Sequence, residues 1–354
     1  MNDEAAFLAA IRATPNDPTD RLVFADWLDE RNDARGELIR IEEEMRELPV
    51  YSDRYWQLKP RRNELRARAA PDWLEAMRYG TDCPPTFRHG VPDGWKERWR
   101  LIREFLERWE ELPLGDVGGR ADEIRETESH LGRTLPASVR EWVAFAHDVR
   151  RSSTYHDVLR DVYQMRDLDG FPAVSLLLQC EGDYHWAVRH ADLALPDPPV
   201  CGFHWDFDNR DETFVPERHN PIHPTLTAFV LGYVWGYTSG QGGGFGTEVA
   251  DSASLIRQLE TTFPFRSRFG GAEIFETANI LVRLYPMRQG RGSSRRARSA
   301  RLIVEVARPL PREAIPAFLW EHTRNGGSFH GLFIPDHGPN DPPADPAADP
   351  EIPF

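Results

Sequence analysis

Apolar positions recur at helical spacing through the first part of the chain. Phe7, Leu8 and Ile11 predict a short helix that Pro15 ends. Leu22, Val23, Phe24, Trp27 and Leu28 predict a second, and Leu38, Ile41, Met45 and Leu48 a third, stopped at Pro49. After the turn-rich run TDCPPTFRHGVP at 81–92, Trp95, Trp99, Ile102, Leu106 and Trp109 fall on one stripe of a longer helix. Three tryptophans on one stripe can meet a partner; the plainer reading is a face packed against its own domain. A helix pair follows. Ile124, Thr127 and Leu131 share a stripe that ends at Gly132, where an αL cap is expected. Pro136 suits a first turn, Ser138 and Glu141 match a capping box, and Val139, Trp142, Val143 and Ala146 give the second helix a buried face.

From Phe171 onward the period changes from helical to alternating. Strands are expected at 173–180 and 184–190, joined across Glu181-Gly182-Asp183, then at 200–207 and 213–215. A helix is expected over 223–237 with Leu226, Phe229, Val230 and Tyr233 inward, then a mobile glycine loop at 241–246 and a helix at 252–261. Strands at 278–285 and 301–306, a helix at 312–322 and a strand at 331–334 complete the pattern, with a loop at 287–299. The Asp- and Pro-rich tail 335–354 is expected to be disordered. The expected class is therefore α+β: helices over 1–80, a linker at 81–92, helices packed on an antiparallel sheet over 93–263, and a β-β-α-β extension over 264–334. The pattern leaves open whether that extension continues the preceding sheet.

Composition narrows the function classes. At 354 residues the chain exceeds one ordinary core, and eleven tryptophans are ample for folded domains. A net charge of −14 argues against a phosphate-backbone binder and an anionic membrane surface, and it suits a basic protein partner. Cys83, Cys180 and Cys201 are widely spaced, with neither metal-motif nor disulfide spacing, which fits a reducing cytoplasm. The acidic, amphipathic start is unlike a signal peptide, and no apolar run reaches membrane-spanning length.

Two stretches resemble known families. The pattern E-I-x-x-x-E-x-x-L-G-x-x-L-P-x-S-x-R-E-W from Glu123 to Trp142 resembles the opening of the SUKH superfamily, which includes fungal cell-wall regulators and bacterial immunity proteins. The stretches Glu181-Gly182-Asp183-Tyr184-His185-Trp186-Ala187 and Asp197-Pro198-Pro199-Val200 are similar to its middle strands and the loop after them. The resemblance covers about 140 residues, a usual domain size. It implies a fold and a habit of binding proteins, with no shared catalytic set. The string from Asp3 to Met45, with F-L-A-A-I-R, R-L-V-F-A-D-W-L-D-E-R and R-G-E-L-I-R, resembles the repeat-companion domain of planctomycete bacteria, which brings no activity with it.

Candidate chemistry is thin. Asp26, Asp29 and Glu30 beside Trp27, and Glu42, Glu43 and Glu44, read as solvated helix faces. His204, Asp206 and Asp208 alternate on one strand face, with His219 and His223 following, but Pro221 and Pro224 keep the last two histidines off a regular helix. No metal or other cofactor is assigned. The glycine run lacks a phosphate-loop Lys-Ser/Thr, and no G-x-S-x-G elbow occurs. The arginines of 288–301 lack interleaved aromatics and read as a solvated loop.

What stands out is an acidic excess. Between Asp161 and Arg218 twelve carboxylates, among them Asp161, Asp167, Asp169, Asp192, Asp197 and Glu217, face only Arg166, Arg189, Arg210 and Arg218. Glu181, Asp183, Asp206, Asp208, Asp211 and Glu212 fall where strands turn, and these six form the expected partner-binding set. The reading is a non-enzymatic cytoplasmic protein that binds a basic protein through this face, as an immunity protein occludes a toxin. The alternatives are an intracellular scaffold joining two proteins and a metal-dependent hydrolase. Oligomeric state stays open.

Overall fold

The computed structural model describes residues 3–14, 17–77, 85–109, 117–149, 170–178, 184–205, 214–237, 244–249, 252–263, 266–269, 272–277, 279–286, 300–306, 315–321 and 328–330, with 112, 114, 115, 165, 167 and 168. Five helices come first: α1 (Asp3–Ala13), α2 (Pro18–Asp29), α3 (Arg35–Glu47), α4 (Asp53–Arg68) and α5 (Pro71–Ala76). Local chemistry sets their ends. Asp17 accepts the Thr19 amide at 2.8 Å ahead of α2, Pro18 takes the first helical position, and Ser52 accepts the Tyr55 amide at 3.2 Å ahead of α4. The tryptophan stripe lies on α6 (Trp95–Trp109), where Trp99, Ile102, Leu106 and Trp109 are buried. It packs against α8 (Ala137–Val149) and α9 (Leu226–Tyr237), with Trp99 5.7 Å from Phe145 and Phe105 5.8 Å from Trp235. The stripe is internal core. Between them, α7 (Ala121–Leu131) ends on Gly132 at φ 62°, the left-handed cap its sequence calls for.

The strands form two antiparallel sheets. The first is β1 (Ala173–Leu178), β2 (Tyr184–Arg189), β3 (Cys201–Trp205) and β4 (Phe214–Pro216), side by side in chain order. The second joins β5 (Gly244–Val249), β6 (Arg266–Phe269), β7 (Ala272–Glu276), β8 (Ile280–Pro286), β9 (Ala300–Val306) and β10 (Ser328–His330) in the order β10-β5-β9-β8-β7-β6. Its β8 is buried on both faces. Ile280, Val282 and Leu284 join a cluster with Leu255 and Leu259 of α10 (Ser252–Thr262) and Leu319 of α11 (Ala317–Glu321), while Leu281 joins the helical core. A strand covered on two sides reads as a nearly continuous apolar run, here Ile280, Leu281, Val282 and Leu284 broken by a buried Arg283 that pairs with Glu305. The chain is thus a mixed α+β fold with a helical N-terminal part. Among the described residues no helix is long and apolar enough to cross a membrane.

Several expectations give way to longer-range contacts. Residues 241–246, expected as a mobile glycine loop, are strand from Gly244, paired with β9 on one side and β10 on the other. The expected extension therefore shares its sheet with a strand that precedes 264. The hairpin β6–β7 was not anticipated; its outer strand is only four residues long, with both arginines turned toward Glu273. Of the linker, 85–92 is described, and it is packed: Phe87 is 1% exposed, with Phe105, Trp235 and Phe269 within 6 Å. Helix α8 starts at Ala137, so Ser138 lies inside its first turn and Glu141 pairs with Arg103 instead of closing a capping box. Glu42 and Glu43 are not a solvated face; their carboxylates are buried against Arg66 and against Arg21 and Arg46. The last helix begins after Pro316, later than expected, and residues 311–314 and 322 lie outside the described set, as do the expected strand 331–334 and the tail 335–354.

Candidate binding face on the four-stranded sheet

Alternation divides the first sheet into two unlike faces. Val174, Leu177, Val188 and the flank of Trp186 turn toward the helices, with Trp186 6.0 Å from Phe229 of α9. Ala173, Ala187, Cys201 and Phe203 turn the other way, into a small cluster closed by Leu168, Phe171 and Phe214. On that side His185 Nδ1 and Ser175 Oγ share a 2.7 Å hydrogen bond, 2% and 6% exposed. A serine so deeply buried has no route to a substrate, and the pair satisfies two core polar groups.

The helix-facing side does not stay covered along its length. Toward the start of β2 it emerges as Tyr184, His204 and Val215, which sit abreast on three neighbouring strands and are all half-buried. Glu217, just past β4, completes the group. Its Oε1 is 3.7 Å from His204 Nδ1, and the Tyr184 hydroxyl donates to its carboxylate. Burial first, then the Glu217 charge and that hydrogen bond, push the Tyr184 phenol above its ordinary value. Tyr184 stacks at a tilt on Trp186, ring centroids 4.8 Å apart.

Gly202 makes this arrangement possible. A Cβ there would collide with the Tyr184 hydroxyl and come 3.0 Å from Glu217 Cγ, so only glycine lets the phenol lie across β3 to reach the carboxylate. Asn220 holds the same glycine from the side, accepting from its amide at 2.9 Å and donating to its carbonyl at 3.1 Å. The Glu217 amide donates to that carbonyl at 2.9 Å, which anchors the acid to the sheet. None of these roles was assigned from sequence. A glycine inside a strand of otherwise large residues was the available signal.

The six expected partner-binding residues, Glu181, Asp183, Asp206, Asp208, Asp211 and Glu212, all lie outside the described residues. The strand ends that bracket them are described. Leu178 pairs with His185, Tyr184 with His204 and Trp205 with Phe214, so the flanks of 179–183 and of 206–213 meet at one end of the sheet. Tyr184 and His204 stand at that same end. Other acids of the same stretch have internal duties. Asp167 meets His190 at 2.8 Å and Arg133 at 3.4 Å, Asp192 pairs with Arg189, and Asp197 receives the Thr227 amide and hydroxyl at the start of α9.

The remaining candidates separate. His223 faces Phe229 at 5.3 Å, where burial lowers its pKa, whereas His204 looks toward Glu217 and His219 is exposed. Among the described residues no group of three His, Cys, Asp or Glu side chains has the spacing to hold a metal, and Asp206 and Asp208 are outside that set. Cys201 is buried and its thiol is pushed up by that burial, so it is a poor nucleophile; Cys83 and Cys180 are outside. Of the arginine-rich run only Arg301 is described. A cavity of about 360 Å³ lies beside Asp33, Arg35, Leu65 and Arg68. Its Arg35 is committed to Glu4 at 2.6 Å and Asp33 at 2.7 Å, which leaves little for an anion.

No family model, curated protein or solved structure matches the chain.

Proposed function

We propose that this chain is a non-enzymatic binding protein of SUKH-like type that takes a basic protein partner at the Tyr184 end of its four-stranded sheet. The observation that carries the reading is the convergence of strand ends. The register brings the flanks of both acid-bearing segments to one end, beside Tyr184, His204 and Glu217. Like charges gathered at one end of a domain steer an oppositely charged partner and raise its association rate. Occlusion of the partner's own surface is the mechanism, as for an immunity protein against a toxin, in a cytoplasmic setting and with no cofactor.

The test begins with affinity capture from native cells, followed by stopped-flow association of the captured partner across a salt series. Exposed charges are screened over roughly 8–10 Å at physiological ionic strength, so association slows as salt rises while dissociation changes less. Converting Asp206, Asp208, Asp211 and Glu212 to amides slows association about tenfold. The same change at Glu47, Asp53, Glu64 and Asp122, exposed on the helical side, has little effect. Equal slowing from both sets would reduce the acidic excess to solubility.

A further inference from the structure

Glu217 differs from several more deeply buried carboxylates among the described residues. Glu42, Asp148, Glu273, Glu276 and Glu305 are each claimed by an arginine. Glu217, with its side chain 37% exposed, has no arginine or lysine partner among the described residues; it meets only a phenol and an imidazole. It is also held in place from three sides, by the bond from its own amide to Gly202, by Tyr184 and by His204. Beside it stand two half-buried aromatic rings, Tyr184 and Trp186, which are in mutual contact. A carboxylate fixed next to half-buried aromatic rings, with no arginine or lysine partner among the described residues, is complementary to one external group above others: a planar guanidinium. Such a group donates paired hydrogen bonds to the acid and stacks on a ring at the same time, which an ammonium cannot do.

We infer that Glu217, Tyr184 and Trp186 form the seat for a single arginine side chain of the basic partner, with Gly202 beneath the Tyr184 phenol. This rests on the binding reading above and adds to it a partner residue and a pocket. The acidic segments steer from a distance, while the seat holds one side chain by contact. The two terms are therefore separable, since long-range steering acts on the association rate and a fixed contact on dissociation. His204 Nδ1 lies 3.7 Å from the same carboxylate.

The experiment uses the full chain and three capped pentapeptides, Gly-Gly-X-Gly-Gly, with arginine, citrulline or lysine at the centre. Citrulline keeps the shape of arginine and removes its charge. Binding is read by amide and indole chemical-shift titration at about pH 7.5. The arginine peptide binds about tenfold more tightly than the citrulline peptide and more tightly than the lysine peptide. Glu217→Gln brings the arginine-to-citrulline ratio close to one, and Tyr184→Leu weakens the arginine peptide several-fold. The quadruple amide variant at Glu47, Asp53, Glu64 and Asp122, on the helical side, leaves the ratio in place, which separates the seat from a general effect of net charge. A ratio near one in the unaltered chain, a ratio that survives Glu217→Gln, or lysine binding as well as arginine would each overturn the assignment. Because Glu217 and Tyr184 are half-buried at the sheet end, a thermal melt of each variant within a few degrees of the parent confirms that the fold is kept.

Discussion

Lys59 is one of two lysines in a chain whose other cations are arginines. It is 6% exposed, 2.7 Å from Glu104, in contact with Glu107, and its ammonium lies 4.4 Å from the Trp56 ring centre. A compact ammonium fits between two carboxylates from successive turns of one helix, where a planar fork would need more width. Tyr55 adds a 2.6 Å hydrogen bond to Glu104. Burial alone would raise the Glu104 carboxyl, but the Lys59 charge and the bonds from Lys59 and Tyr55 outweigh it and hold the group below its ordinary value. Lys59→Met should cost about 3–5 kcal/mol, since it leaves a buried acid without its cation. Adding Glu104→Gln should restore at least half of that loss, read from urea unfolding midpoints. No recovery in the double variant would mean that Lys59 acts by packing. The sign of the pH effect follows from the depressed acid. Its stabilisation is fully present above the unfolded-state pKa of about 4.3 and is lost as pH falls through the lower folded value. Between about pH 6 and pH 3, Glu104→Gln should therefore lose less stability than the parent chain. A parallel decline in both would place the acid sensitivity elsewhere. Within the apolar core, Trp142 is 0% exposed and packed on Phe145 and Phe229, so Trp142→Ala should cost about 3–5 kcal/mol in the same assay. A loss below about 1 kcal/mol would contradict that packing.

At the scale of elements, β3 carries the site because one of its five residues has no side chain. Gly202→Ala should displace the Tyr184 phenol from Glu217 and cost about 1–3 kcal/mol, as overpacking does in a well-filled place. It should also lower the arginine-to-citrulline ratio, because the seat loses the Tyr184 phenol from beside Glu217. An unchanged ratio together with an unchanged midpoint would show that Tyr184 moves aside without consequence. The strands and helices that sequence made legible are those whose burial repeats at a fixed period: the stripe of α6, the alternation of β2 and β3, the run of β8. What escaped is decided by partners far along the chain. Glu42 looks like a surface acid until Arg66, 24 residues on, turns toward it. Gly244 and Gly246 look like loop until β9 and β10 supply hydrogen bonds on both sides. The site was half legible for the same reason. Tyr184 belongs to a recognisable strand, while Glu217 and Asn220 acquire meaning only when Gly202 is seen between them.

For the whole molecule, the question is whether the helical N-terminal part stands apart from the sheets. The side chains argue for one body. Leu38 and Trp73 of the first helices, Trp109 of α6, Val230 of α9 and Ile274 and Leu281 of the second sheet belong to one continuous apolar cluster. The stretch expected as a joint is its centre. Phe87 fills a gap between α6, α9 and β6, and Glu276, 2% exposed on β7, accepts from Thr86 at 2.9 Å and pairs with Arg108 of α6 at 3.2 Å. Lys59 with Glu104 ties α4 to α6 in the same manner. A buried carboxylate shared by segments some 190 residues apart leaves an unpaired charge if either segment departs, so separation is opposed by desolvation as well as by lost contact. The helical part and the second sheet should then unfold together. Hydrogen exchange read by mass spectrometry across a urea series should show α4 and β8 losing protection at one common midpoint. Phe87→Ala should lower that midpoint for both elements at once, by about 3–5 kcal/mol in stability. If α1 to α5 lose protection well before β8 does, or if Phe87→Ala affects only one of the two, residues 85–92 are a joint between independent domains and the shared core does not act as one unit. A single unit has a consequence for binding. The Tyr184 end of the first sheet would then be borne on a platform that includes the N-terminal helices, and Phe87→Ala should weaken the arginine peptide only at urea concentrations where the whole chain begins to open.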